Sequence, residues 1–312
     1  MVMKYVYGPV PSRRLGRSLG VSPIPSKTCN YSCVYCQLGR TDHFTNLRKD
    51  FFDPHEILKE IFKSVEENRS IDYITFVGEG EPTLCKSIGY LIDQAKLTSL
   101  PIAVITNGAL LYDEDVRMDL RNADVVLPSL DAGDEQTFLK INRPNKEIKF
   151  ERMVEGLKQF SKIRKGQLWI EVMLVKGLND SEEEITKIKN ILKDVNPDRV
   201  YINVPIRPPA EPWVEIPNEE SIAKAHEILE SYVISGYETG EFNVDPDHLY
   251  DEILKICERH PLREDQIKGI CLKFNIGPDE IISKMRNDKS VKEILYHEKR
   301  FFVVKPKMEG KA

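Results

Sequence analysis

Between Leu19 and Val204 the sequence changes character at regular intervals, and that alternation limits the folds open to it. Short apolar, largely β-branched runs stand at Leu19–Ile24, Ile71–Val77, Ile102–Thr106, Val125–Leu130, Leu168–Val175 and Arg199–Val204. Segments with apolar residues at helical spacing lie between them. Asp53-Pro54 supplies a cap and a first-position proline for a helix carrying Ile57, Leu58, Ile61, Phe62 and Val65. Further helices are predicted over 86–98, 113–122 and 147–165. Ser181, with Glu184 three residues on, has the form of a capping box for another. Near-continuous apolar strands separated by helices indicate a parallel sheet. Six such units fall short of the eight in a closed barrel. In parallel α/β folds the chemistry gathers at the carboxyl ends of the strands, so the residues that follow each run are the first candidates for a site.

After the first run comes Cys29-Asn30-Tyr31-Ser32-Cys33-Val34-Tyr35-Cys36, three thiols spaced C-x3-C-x2-C. Thiolate is the soft ligand that iron–sulfur clusters select, and three on a short loop suit three corners of one cluster. The loop has no fourth cysteine, so one iron is left open to a substrate or cosubstrate, as in catalytic rather than structural metal sites. A zinc site would want a second C-x2-4-C pair or Cys/His combinations, and no second pair follows. The spacing, with the aromatic Tyr35 before the last cysteine, resembles that of the radical S-adenosylmethionine (SAM) enzymes. That resemblance implies a partial (βα)6 barrel and one [4Fe-4S] cluster on Cys29, Cys33 and Cys36. It also implies SAM chelated at the open iron and cleaved by one electron to a 5′-deoxyadenosyl radical that abstracts hydrogen from a substrate.

The other strand ends agree with it. Gly78-Glu79-Gly80-Glu81-Pro82-Thr83-Leu84 follows the second run, where glycines let the backbone approach a ligand closely. In the resembled family a Gly-Gly-Glu-Pro motif holds the SAM amino group, which assigns that role to Gly80 and Glu81, with the first glycine displaced by one residue. Ser129, beside Asp131, ends the fourth run where the family sets a polar group against the SAM ribose. Asn107 in Thr106-Asn107-Gly108 is either a ribose or carboxylate ligand or a turn asparagine. Arg143, Lys176 and Arg207 are candidates for a substrate or SAM carboxylate, Arg143 by a bidentate clamp. Glu171 and Asn203 border the same strand ends. Cys85, Cys257 and Cys271 have no cluster spacing and read as packed thiols.

Around Pro205–Pro217 prolines break the pattern, which divides the chain into a barrel with its basic N-terminal segment (1–217) and a C-terminal unit (218–312). Helices are predicted there over 219–234, 246–259, 263–274 and 278–286, with a strand at Phe301–Val304. The outline resembles a winged helix-turn-helix, Leu262–Met285 forming the turn pair, and suits a docking or lid module as well as a nucleic-acid reader. The chain carries a net charge of -5, yet residues 1–49 hold a local net of +7 and 281–312 one of +5. Such patches fit either a polyanionic partner or solvated faces. No apolar run is long enough for a membrane span, and cysteines without framework spacing suit a reducing cytoplasm.

The segment Tyr7–Gly20, read with the cysteine loop and the glutamate turn, is similar to radical SAM proteins grouped with the wyosine-type tRNA-modifying enzymes. Those enzymes carry extra upstream cysteines, and this chain has none before Cys29. The leading expectation is a radical SAM enzyme acting on RNA, reduced by a ferredoxin- or flavodoxin-like protein. An activase or maturase acting on a protein, and an iron–sulfur electron carrier or sensor, stand as alternatives.

Overall fold

A parallel sheet curls around an apolar interior and carries its helices outside. The computed structural model describes residues 3–68, 70–233, 242, 244 and 248–304. Strand β1 (Val6–Ser12) returns antiparallel on β2 (Gly16–Val21). After the two-residue strands β3 (Thr28–Cys29) and β4 (His43–Phe44) and helix α1 (Pro54–Glu67), strand β5 (Tyr73–Phe76) pairs parallel with β2. Helix α2 (Ile88–Ala95), β6 (Ile102–Thr106), α3 (Glu114–Leu120) and β7 (Val125–Pro128) follow. Next come α4 (Glu135–Ile141), α5 (Phe150–Ile163), β8 (Gln167–Met173), α6 (Glu182–Val195) and β9 (Arg199–Asn203). The sheet runs β1-β2-β5-β6-β7-β8-β9-β10, with α7 (Glu219–Leu229) leading to the short parallel β10 (Tyr232–Val233), so the helix read over 219–234 stops at Leu229 and the sheet continues past the boundary read at 217/218.

The six runs read from the sequence are β2, β5, β6, β7, β8 and β9. Strand β1 lies outside them because its prolines interrupt the pattern, which an edge strand tolerates. Helix α4 is also additional. It is only 7 residues long, and its visible signal is Asp134 accepting from the Thr137 amide at 2.8 Å. Ser181 caps α6 by accepting from the Glu184 amide, but the Glu184 carboxylate turns to Thr137 and Lys187, so the box is half made.

Alternate residues of each strand face opposite ways. One set, including Ile74, Phe76, Val104, Val126, Ile170 and Ile202, packs against the helices in the main core. The other fills the interior: Tyr73, Ala103, Ile105, Val125, Leu127, Trp169 and Tyr201 surround Leu15, which the β1–β2 hairpin inserts among them. Burying each large side chain contributes about 1.5–3 kcal/mol. The same hairpin brings Arg14 to Glu171 and Arg13 to Asn203.

The C-terminal unit runs α8 (Leu249–Arg259), β11 (Leu262–Arg263), α9 (Glu264–Lys273), α10 (Pro278–Asn287), β12 (Val291–Tyr296) and β13 (Lys299–Val304), with sheet order β11-β13-β12. Helix, strand, two helices and a hairpin is the order of a winged helix. Strand β12 escapes the sequence reading because none of its side chains is fully buried and Lys292-Glu293 break its apolar run. The unit has its own core, built on Ile253, Cys257, Ile267, Cys271, Ile282, Met285 and Phe302, and Val10 of β1 belongs to it. Among the described residues no helix is long and apolar enough to cross a membrane.

Candidate functional site

The cysteine loop leaves the end of β2 and is strapped down on two sides. On one, the connection between α4 and α5 holds it: the Val34 amide donates to Ile141 O (2.9 Å), the Ser32 amide to Asn142 O (3.1 Å), and the Asn145 amide to Asn30 O (2.8 Å). On the other, Thr28 forms a parallel bridge with Gly80, and the Glu81 amide donates to Thr28 O at 3.0 Å. A Cβ at Gly80 would overlap that carbonyl, so only glycine permits the approach. Cys29 and the Gly78–Pro82 turn, 50 residues apart in sequence, are thereby held one peptide from each other.

Asparagine amides reach two of the sulfurs. Asn107 Nδ2 donates to Asn30 Oδ1 at 2.7 Å and lies 3.6 Å from Cys29 Sγ. Asn142 Nδ2 donates to Asp131 Oδ2 at 2.7 Å and lies 3.6 Å from Cys33 Sγ. The Tyr31 amide donates to Cys29 Sγ at 3.4 Å. Burial pushes all three thiols up, with Glu81 adding at Cys29 and Asp131 at Cys33. Half-buried, and with carboxylates beside Cys29 and Cys33, the thiols favour their protonated form, and a bound cation would favour the thiolate.

Among the described residues no three His, Cys, Asp or Glu side chains converge tightly enough for a single ion. A zinc centre brings four ligands within about 2.3 Å of one ion. The donor set, three thiols spaced C-x3-C-x2-C on one loop, fits the corners of an iron–sulfur cluster better than a zinc site. The N–H···S contacts are of the kind that set a cluster's potential.

Behind the loop lie two buried carboxylates. Glu81, 2% exposed, accepts from the Thr83 amide (3.0 Å), the Thr83 and Thr106 hydroxyls (both 2.6 Å) and the Asn107 amide (2.7 Å). Both of its oxygens are engaged by the chain, so it shapes the turn and seats Asn107. Asp131, 3% exposed, accepts from Tyr35 OH (2.5 Å), Asn142 Nδ2 and the Met173 amide (2.9 Å). Burial raises both carboxyls, and these donors oppose the rise. Ser129 is half-buried beyond β7, its amide on Thr106 O at 3.1 Å.

Tyr35, Gly80, Glu81, Asn107 and the three cysteines thus come together at the strand ends, with Ser129 on the neighbouring strand. The other candidates are tied elsewhere. Arg143 lies 2.5 Å from Glu211 Oε1, the carboxylate that Arg40 also clamps at 2.9 and 3.0 Å, and the two guanidiniums pull the Glu211 carboxyl down to about 2. Lys176 pairs with Glu215 at 2.6 Å. Arg207 donates to Gln37 Oε1 at 2.8 Å and lies 2.8 Å from His260 Nε2. Cys85, Cys257 and Cys271 are buried; burial pushes the first two up to about 12. Asn30, Asn142 and Asn179 went unread in the sequence because isolated asparagines look like turn residues, yet Asn179 Nδ2 holds Asp131 O (2.7 Å) and Met173 O (2.8 Å).

Residues 24–188 match the family described as the Radical SAM superfamily. The UPF0026 protein MJ1312 of Methanocaldococcus jannaschii is 39% identical to this chain, over 99% of it and 98% of that protein. A probable dual-specificity RNA methyltransferase RlmN of Thermotoga petrophila is 27% identical, over 65% of this chain and 59% of that one. A solved radical SAM methyltransferase from Sphaerobacter thermophilus superposes with a TM-score of 0.53 at 16% identity, covering 69% of this chain and 65% of that chain, a likeness of fold.

Proposed function

The chain belongs to the radical SAM superfamily, and from that premise we propose that it is an iron–sulfur enzyme that cleaves SAM reductively and acts on RNA. In this reading Cys29, Cys33 and Cys36 hold the cluster, and Tyr35, Gly80, Glu81, Asn107 and Ser129 frame the SAM site. When bound, cluster and SAM together supply a one-electron cleavage that yields a radical able to abstract hydrogen from an unactivated C–H bond. The chain's own residues position and shield. Glu81 fixes the turn through Thr83, Thr106 and Asn107, Gly80 presents bare backbone, and Asp131 holds the ring of Tyr35 and the amide of Asn142. The observation that carries the reading is the Thr28–Gly80 bridge, which joins the cysteine loop to the glutamate turn.

The choice of RNA rests on the winged-helix order of the C-terminal unit and on the relative named as an RNA methyltransferase. The N-terminal arginines do not add to it: Arg14, Arg17, Arg40 and Arg48 are paired with Glu171, Asp72, Glu211 and Asp119. A protein substrate is the second reading, favoured by Leu272 and Leu295, 64% and 68% exposed on the winged helix.

The test is 5′-deoxyadenosine formation by the anaerobically reconstituted, reduced protein against Cys33→Ala, with and without total RNA. Cysteine-dependent product stimulated by RNA supports the proposal. Product indifferent to RNA moves the substrate to the protein reading, and no product from a protein with an intact cluster overturns SAM cleavage.

A further inference from the structure

The last turn of α8 reaches the strand ends from the C-terminal side. Arg259, 7% exposed, donates through Nη2 to Lys4 O at 3.0 Å, sets Nε 3.3 Å from Glu79 Oε2, and lies 5.1 Å from the centre of the Tyr7 ring. Its own carbonyl accepts from Gln37 Nε2 at 3.2 Å, and Gln37 Oε1 accepts from Arg207. Glu79 stands between the two glycines of the Gly78–Pro82 turn, and Gln37 directly follows Cys36. One residue of the winged helix therefore touches both segments that frame the site. At the opposite side of the same unit Tyr296 OH, at the end of β12, donates to Pro205 O beyond β9 at 2.7 Å.

We propose that Arg259 is a positioning residue through which the winged helix sets the Gly78–Pro82 turn and the Cys36–Gln37 end of the cysteine loop. The inference rests on the reading above that these segments hold SAM and the cluster. A turn with two glycines, one at φ +143°, has little intrinsic preference for a single conformation. Glu79, 8% exposed, needs a charged partner once buried, and the Arg259 guanidinium, anchored on Lys4 O, supplies the charge beside it. Arg259 Nε and Nη1 are buried and make no hydrogen bond, so no external ligand reaches them and the residue acts through its neighbours.

The full chain without iron or SAM is compared with Arg259→Met by hydrogen–deuterium exchange, reading amides 78–81 and 35–39. After reconstitution, SAM is titrated while the EPR spectrum of the reduced cluster is followed. Expected are faster exchange in both segments and SAM binding weaker by about tenfold to a hundredfold, the range seen when an outer-shell partner is lost. Arg259→Lys recovers part of each. Arg286→Ala, on the exposed face of α10, serves as the reference variant. Unchanged exchange in both segments, or an unchanged SAM titration in a folded variant, overturns the proposal. Should Arg259→Met fail to fold, Glu79→Gln reads the same coupling from the barrel side, with the same two criteria. A wild-type chain that takes up cluster yet leaves its spectrum unmoved by SAM refutes the cofactor reading, while the exchange arm still judges Arg259.

Discussion

The two ends of the barrel are made of different materials. At the amino end the interior is Leu15 among Tyr73, Val125 and Trp169, apolar groups that hold one another by contact. At the carboxyl end it is Asn30, Glu81, Thr106, Asp131, Asn142 and Asn179, all buried and each with a named hydrogen-bond partner. An apolar end tolerates change if volume is kept, because packing is shared among many neighbours. A buried polar network does not, because each deletion leaves a donor or acceptor without water or partner. The difference shows where this chain commits its specificity: to the end that carries the cysteine loop.

The sharpest break is Gly80→Val. Its side chain would occupy the place of the Thr28 carbonyl, so the bridge between loop and turn cannot form. Iron content and 5′-deoxyadenosine formation are both expected to fall to background in a chain whose circular dichroism still reports the helices. Next is Asp131→Ala, which strands Tyr35 OH, Asn142 Nδ2 and the Met173 amide. Roughly 3–5 kcal/mol of stability should be lost, read from urea unfolding of the iron-free chain, at about 1–3 kcal/mol per stranded group less some relaxation. Leu15→Ala tests the other end: about 3 kcal/mol lost by the same measurement, with SAM affinity of the folded protein unchanged. A SAM defect in Leu15→Ala would erase the distinction between the ends.

The mildest test is pH. The carboxyl of Glu211 is held down to about 2 by Arg40 and Arg143. A carboxyl lowered in the folded state contributes stability that is present above its unfolded value, near 4.3, and is lost as the pH falls towards 2. Urea midpoints should therefore drop between pH 5 and pH 2.5 in the wild type and drop less in Glu211→Gln. Parallel pH curves would show that the clasp contributes nothing.

Most of the barrel was legible because its signals are local. Strands such as Ile102–Thr106 and Val125–Pro128 announce themselves by composition, and the cysteine spacing needs no partner to be read. What was not legible depends on pairs far apart in the chain. The surplus of +7 in residues 1–49 looks like a binding patch until Asp72, Asp119, Glu171 and Glu211 arrive from elsewhere to meet its arginines. Arg143 reads as a bidentate carboxylate clamp, but it meets its carboxylate through one nitrogen, and the carboxylate is the chain's own Glu211. Glu81 has the residue type expected of a ligand, and only the structure reveals four donors already in place. Arg259 sits in a plain amphipathic helix and gives no signal until Glu79 and Lys4 are beside it.

Strand β1 buries Val6 in the main core and Val10 in that of the C-terminal unit. During synthesis it leaves the ribosome ahead of α8 and β13, which complete the second of those cores and follow about 250 residues later. At the usual pace of translation that is a wait of roughly 12–50 s. Throughout that interval one flank of the strand stays uncovered, so a nascent chain stalled in this window would offer chaperones an apolar edge that the finished protein never presents.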